Sequence, residues 1–262
     1  MAGFSADWLA LREPADHAAR SAALTRALLE ELPRDRPLRI LDLGAGSGSN
    51  LRYLTTEPKI RSEWLLVDHD PSLLAGVQQT PGVEVRCLDL ASLDDCRIFA
   101  GRDLVTASAL LDLVSESWVT TLAERCAEAG AAVLFALSYD GRIVCSPKDG
   151  QDAAIVALVN AHQRTDKGFG RALGPDATDV AARCFTERGY RVRRERSDWI
   201  LPPASAELQR QLIDGWAQAA IDMAPERAAI INDWRTRRLA HVDANRSEII
   251  VGHEDLLAFI RM

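Results

Sequence analysis

Apolar positions in the first half of the chain fall into two alternating patterns. Five short, nearly continuous apolar runs, "LRILDLG", "EWLLVDHD", "PGVEVRCLDL", "DLVTASALLDLV" and "GAAVLFALSYDG", predict buried strands. Segments with helical spacing separate or precede them. Leu24, Leu28 and Leu32 recur at every fourth position and predict one helix over 16–32, which "LPRDRP" then ends. "SNLRYLTT" starts a second helix, Pro71 opens a third at "PSLLAGVQQT", a weak one covers 93–99, and a longer one covers 118–129. Strands that are apolar throughout and alternate with helices imply a parallel sheet covered on both faces. Its crossovers are right-handed, so the first half should be doubly wound.

The second half is less regular. "YDGRIVCSP" predicts a turn at Tyr139–Asp140–Gly141 followed by a short strand, because Asp-Gly favours turns. Helices are expected over 152–163, 176–188, 202–223 and 225–239, the third opened by prolines and Ser205. Between the first two lies the Gly-rich, charged loop "RTDKGFGRALGP". "GYRVRRERSDWIL" predicts one strand and "SEIIVGHEDLLAFI" a last one. No repeat or linker interrupts the chain, so its 262 residues are expected to form one domain with insertions. Within it, 1–36 would be an N-terminal helical cap, 37–140 the core, and 141–175 and 202–246 insertions over the site.

Composition narrows the class. Apolar residues make up 47% and charged ones 26%, as in ordinary globular proteins. The net charge of −7 argues against nucleic acid, whose binders present a basic face. The two basic stretches, "YRVRRERSD" and "DWRTRRLAH", are mixed with acids and read as solvated faces. The longest apolar run, 129–139, is about half the ~20 residues a membrane span needs. The acidic start of the chain does not look like a secretory leader. Five scattered cysteines without a CxxC pair point to a reducing, cytoplasmic setting and away from disulfides or zinc.

The candidate chemistry centres on "ILDLGAGSGSN". A turn at the carboxyl end of the first strand is where open α/β sheets bind ligands, and glycines let a ligand lie against the backbone. A phosphate-binding P-loop needs a lysine that is absent here. A dinucleotide fingerprint needs GxGxxG or GxGxxA, and both reading frames fail at the third position, at Ser49 and at Leu51. The spacing that fits is D-x-G-x-G-x-G: Asp42, Gly44, Gly46 and Gly48. A carboxylate in that place can meet an ammonium and would repel a phosphate. Asp68, at the tip of the second strand, can accept hydrogen bonds from ribose hydroxyls. Asp89, at the tip of the third, can accept from an adenine amine. The plain alternatives are a strand-end acid capping the turn for Asp42 and ordinary turn formers for Asp68 and Asp89, while Asp70 before Pro71 is equally well a helix cap.

Residues 39–139, with "LDLGAGSG", "LLVDHDPSLL", "VRCLDL" and "DLVTASALLDLV" in that order, resemble the class I S-adenosylmethionine-dependent methyltransferase family. The resemblance implies a Rossmann-like α/β fold: a seven-stranded, mostly parallel sheet with helices on both faces, its last strand, "SEIIVGHEDL", antiparallel. It implies S-adenosylmethionine as cofactor, with S-adenosylhomocysteine as product. Gly44, Ala45, Gly46 and Gly48 would follow its methionine and ribose, with Asp42 at their start. Asp68 would take the ribose hydroxyls, Asp89 the adenine amine with Leu90 nearby, and His69 and Asp70 would flank that pocket. Arg12 or Arg20 of the N-terminal segment could pair with the methionine carboxylate, and Trp8 could close the pocket; a solvated helix face explains either arginine equally well.

The methyl acceptor would sit beyond the fourth and fifth strand tips, near Ser108, Asp112, Ser115, Ser138, Tyr139, His162, Arg164 and Lys167. Asp112 is an acid inside an apolar segment, with helix capping as its plain alternative. His162 is a possible general base, though a histidine at a helix C-terminus also suits the dipole. Tyr139 is a third catalytic candidate, with turn formation the simpler reading. His253 and Asp255 fit structural hydrogen bonds, and Trp199, Trp216 and Trp234 fit packing of the extra helices. The sequence lacks Asn-Pro-Pro-Tyr after the fourth strand and a Pro-Cys nucleophile, which leaves a small-molecule oxygen or nitrogen acceptor. The competing readings are a non-catalytic S-adenosylmethionine-binding module, a nicotinamide-dependent oxidoreductase and an aminopropyl-transfer enzyme.

Overall fold

The computed structural model of the protein describes residues 4–33, 35–56 and 61–260. Two N-terminal helices, α1 (Ala6–Ala19) and α2 (Ala22–Glu31), precede a core of alternating elements. These are β1 (Leu38–Leu43), α3 (Ser49–Thr55), β2 (Ser62–Asp68), α4 (Pro71–Ala75), β3 (Val83–Cys87), β4 (Leu104–Ser108), α5 (Glu116–Ala129) and β5 (Ala132–Ser146). Then come α6 (Asp152–Gln163), α7 (Ala177–Glu187), β6 (Tyr190–Arg196), β7 (Trp199–Leu201), α8 (Ala206–Met223), α9 (Ala228–Asp243) and β8 (Glu248–Ile260). The sheet runs β3-β2-β1-β4-β5-β8-β6, parallel from β3 to β5, with β8 antiparallel to both neighbours. Among the described residues no helix is long and apolar enough to cross a membrane.

The sheet is buried on both sides because its strands alternate between two cores. Leu41, Leu43, Leu65, Val67, Val105 and Ala107 face α5 and α7, where Leu122 and Phe185 are buried. Leu38, Ile40, Trp64, Leu66 and Leu104 face the opposite core, with Leu24 and Leu28 of α2 and Leu54 of α3. A third apolar cluster holds Trp199, Trp216 and Trp234, packing α6, α8 and α9 on the prolonged end of the sheet.

Several expected elements take a different form. The single helix expected over 16–32 is two, because Arg20 and Ser21 leave the helical conformation and Ser21 caps α2. The tertiary cause is Asp255, which accepts the Ser21 N–H at 2.9 Å. The helix expected over 93–99 is a single short 3-10 turn, Cys96–Ile98, and the Pro71 helix stops at Ala75. The expected turn at Tyr139–Asp140–Gly141 does not break the strand: β5 continues to Ser146. The extra residues bulge, so that Tyr139 pairs with His253 and Ile143 with Val251, leaving Gly252 opposite three residues. A Cβ on Gly252 would stand 2.1 Å from Asp140 Oδ1, so only glycine admits the bulge. Finally, "GYRVRRERSDWIL" divides at Ser197–Asp198 into β6 and β7, and β7 pairs with the far end of β8 as an eighth strand.

Candidate active site

The loop after β1 forms the floor of the site. Gly44, Gly46 and Gly48 have φ of 65°, 52° and 82°, a region that side chains strain. Ala45 donates its N–H to Val67 O at 3.1 Å and Gly46 to Asp68 Oδ2 at 2.8 Å, so the turn hangs on the end of β2. At Gly48 a Cβ would stand 2.7 Å from Val77 Cγ1. Gly44 and Gly46 instead face the cavity wall, their added Cβ meeting only Leu110 and Leu9 side chains at 3.4 and 3.2 Å.

This loop opens on a cavity of about 540 Å³. Asp42, Gly44, Ala45, Gly46, Asp68, His69, Leu90, Ser108 and Arg12, all expected at the site, line it together. Leu73, Leu90 and Leu110 give it an apolar wall beside the loop. The lining is completed from α1 by Leu9, Arg12 and Asp16, with Phe4 before it, and from the loop after α6 by Asp166, Lys167, Gly168 and Phe169. Leu9, Asp16, Asn50 and Phe169 had no motif to announce them; tertiary packing alone brings them there.

Asp42 is the most constrained acid. It is 1% exposed, and its Oδ1 accepts from Asn50 Nδ2 at 3.0 Å while its Oδ2 is buried without a partner among the described residues. Burial pushes its carboxyl up to about 7, opposed by the Asn50 hydrogen bond and the Arg20 charge. Asp68 is held differently. Its Oδ2 takes the Gly46 N–H and its Oδ1 the Asp70 N–H at 3.0 Å, with His69 Nδ1 at 3.2 Å. Each oxygen keeps a lone pair for a ligand. Asp70 caps α4 through the Ser72 N–H at 2.8 Å.

Other expected residues stand apart from the cavity. Gly48 caps α3 behind the turn. Asp89 is exposed and accepts the Ala91 N–H at 2.8 Å, outside the lining that its neighbour Leu90 joins. Arg20 lies behind the lining, donating to Asn50 Oδ1 at 2.8 Å and stacking 4.4 Å over the Tyr53 ring. Trp8 packs against the third apolar cluster, and Leu9 takes the place beside the glycines. Arg12 is gripped by both oxygens of Asp16 at 2.9 and 3.1 Å and lies 4.9 Å over Trp199, whose Nε1 donates to Asp16 at 3.0 Å.

The three catalytic candidates are equally distinct. Asp112 lies in a 3-10 turn between Leu110 and Leu113 of the lining, and Ser115 rather than Asp112 caps α5. It is 7% exposed with an unpartnered Oδ1; burial raises its carboxyl to about 6 against the pull of Arg12 and Lys167. His162 meets the lining through Lys167, whose Nζ donates to His162 O at 3.0 Å and lies 3.3 Å from Nδ1. Burial lowers His162 as a base, and Lys167 adds to this. Tyr139 points its hydroxyl to Asn160 Oδ1 at 2.8 Å, and burial raises its pKa. His253 is buried between Tyr139 and Trp199, and burial lowers it to about 3. Asp255 accepts from Ser21 and Leu137.

No family model and no curated protein matches the sequence. Solved structures do match the fold. The cyclopropane synthase MmaA2 of Mycobacterium tuberculosis superposes with a TM-score of 0.52 at 13% identity, over 97% of this chain and 94% of that one. The apo form of the mycolic acid cyclopropane synthase CmaA1 superposes with a TM-score of 0.50 at 11% identity, over 98% and 100%. With these superpositions, the β3-β2-β1-β4-β5-β8-β6 order and the antiparallel β8, the chain shares the Rossmann-like α/β fold of these two synthases.

Proposed function

We propose that this protein is an S-adenosylmethionine-dependent methyltransferase acting on the oxygen or nitrogen of a small-molecule acceptor. The observation that carries the reading is the unpartnered, buried Oδ2 of Asp42 at the mouth of a glycine turn braced by Asp68. An anion there suits the ammonium of an amino-acid tail and repels the phosphates of a dinucleotide.

Bound S-adenosylmethionine supplies an electrophilic methyl on sulfur, so the protein must align the acceptor, exclude water and take up a proton. In this reading Gly44 to Gly46 follow the tail and ribose, Asp68 receives the ribose hydroxyls, and Leu73, Leu90 and Leu110 enclose the adenine. Asp89 accepts the Ala91 amide on Oδ1 and would have to turn into the cavity beside Leu90 to meet the adenine amine. Arg12, Lys167, Phe169 and Phe4 bound the acceptor end, and Asp112 stands behind it. Asp112 and Lys167 are the groups we assign to proton transfer, with His162 acting on the acceptor only through Lys167.

We read 1–262 as one unit. The 1–36 segment covers the site through α1, and the 141–175 insertion reaches it through Asp166 to Phe169. The 202–246 insertion supports α6 from behind, where Asp222 stands 3.8 Å from His162 Nε2. The test is turnover: S-adenosylhomocysteine formation from S-adenosylmethionine over a panel of phenols, alcohols and amines. Product with at least one acceptor is expected. Cofactor binding without product from any acceptor would leave a binding module instead.

A further inference from the structure

A buried polar chain runs behind the cavity and ends on Asp42. Arg20, at the junction of α1 and α2, donates from Nη1 to Asn50 Oδ1 at 2.8 Å. Asn50 gives one amide hydrogen to Asp42 Oδ1 at 3.0 Å and the other to Thr106 Oγ1 at 2.8 Å. Thr106 passes its own hydrogen to Leu134 O at 2.6 Å. Asn50 thus commits its carbonyl and both amide hydrogens, and its side chain has a single allowed orientation. Arg20, Thr106 and Asp42 are 7%, 0% and 1% exposed, so the chain is almost closed to bulk water.

The charges along this chain do not balance. Arg20 faces Asp255, with Nε 3.6 Å from Oδ2, and stacks on neutral Tyr53. Asp42 faces Asp68 from β2, and both raise the local negative charge. One cation therefore stands among three carboxylates. Asp255 and Asp68 are each satisfied by two backbone N–H groups, and Asp42 Oδ2 by none.

Resting on the proposed function, we infer that Arg20 is a positioning residue for the ammonium of the ligand's amino-acid tail: through Asn50 it fixes the Asp42 carboxyl group and supplies positive charge that favours its ionised form. Arg20 touches no ligand itself. The Arg20 charge pulls the Asp42 pKa down against the burial that raises it, so removing that charge moves the ionisation of Asp42 to higher pH. The N-terminal cap and the amine subsite are then one unit, because Arg20 is where α1 ends.

Two ligands sharing one nucleoside separate this role from simple structural support: S-adenosylhomocysteine, which carries the ammonium, and 5′-methylthioadenosine, which lacks it. Both are titrated calorimetrically from pH 6 to 9 into the wild-type protein, the Arg20→Met and Arg20→Lys variants, and Asn50→Ala. In Arg20→Met and Asn50→Ala, S-adenosylhomocysteine should bind about tenfold more weakly at pH 7, with methylthioadenosine within about twofold of wild type. The rise of S-adenosylhomocysteine affinity with pH should move upward in Arg20→Met and return in Arg20→Lys. Equal weakening of both ligands, or an unmoved pH profile in Arg20→Met, overturns the inference. If the wild-type protein binds neither ligand, the proposed function itself is what fails.

Discussion

Asp68 Oδ2 accepts the Gly46 N–H at 2.8 Å, so the acid that ends the second strand also closes the glycine turn that follows the first. The contact joins two parallel strand tips that pair in register from Leu38 with Ser62 to Leu43 with Val67. One carboxylate therefore shapes the floor of the cavity and presents its remaining lone pairs to it.

Asp68→Ala should weaken S-adenosylhomocysteine binding by roughly 1–3 kcal/mol, the range for stripping polar groups of their partner. Calorimetric affinity measures it, and an unchanged value would place the ribose elsewhere. Asp68→Asn should be milder, since an amide oxygen can still accept from Gly46.

Gly48→Ala should destabilise the fold more than it weakens ligand binding. The residue lies at φ 82° and its Cβ would stand 2.7 Å from Val77 Cγ1. The backbone strain alone costs about 1–2 kcal/mol. Urea unfolding should show a lower midpoint with an unchanged slope.

The raised carboxyls of Asp42 and Asp112 make stability fall as pH rises, opposed between pH 3 and 6.5 by His253, which burial lowers to about 3. Burial brings Asp42 to about 7 and Asp112 to about 6, both from 3.8, so the folded chain binds more protons than the unfolded chain between pH 4 and 7. Their contribution is absent below pH 4 and fully destabilising above pH 7. Asp42→Asn should flatten the upper part of this fall. Chemical denaturation at pH 5, 6, 7 and 8 measures the slope, and a wild-type-like slope in the variant would contradict the account.

Tyr139→Phe should leave S-adenosylhomocysteine affinity unchanged and lower stability by about 1 kcal/mol, because its hydroxyl serves Asn160 on α6. Asp16→Ala acts in the opposite sense. It frees Arg12 and the Trp199 indole N–H, so hydrogen exchange across α1 should speed up and ligand affinity fall.

The core of this site was legible because it follows from local pattern. The apolar runs ending at Asp42 and Asp68 are strands whichever partners they find, and D-x-G-x-G-x-G requires a backbone turn that only glycines make well. What was illegible depends on contacts distant in sequence. Arg20 reads as part of a continuous helix because Leu24, Leu28 and Leu32 keep its period; its burial is decided by Asp255, more than two hundred residues on. Asp-Gly at 140–141 reads as a turn because the signal that cancels it, Gly252, lies on another strand. Asn50 and Asp16 were not singled out by any motif, yet they hold Asp42 and Arg12, two charged groups of the cavity lining.

The most direct measurement is a calorimetric titration of the protein with S-adenosylhomocysteine and, separately, with NADH. Saturable one-to-one binding of S-adenosylhomocysteine, weakened in Asp68→Ala, with no heat from NADH, is the predicted result. Binding of NADH with none of S-adenosylhomocysteine would contradict it.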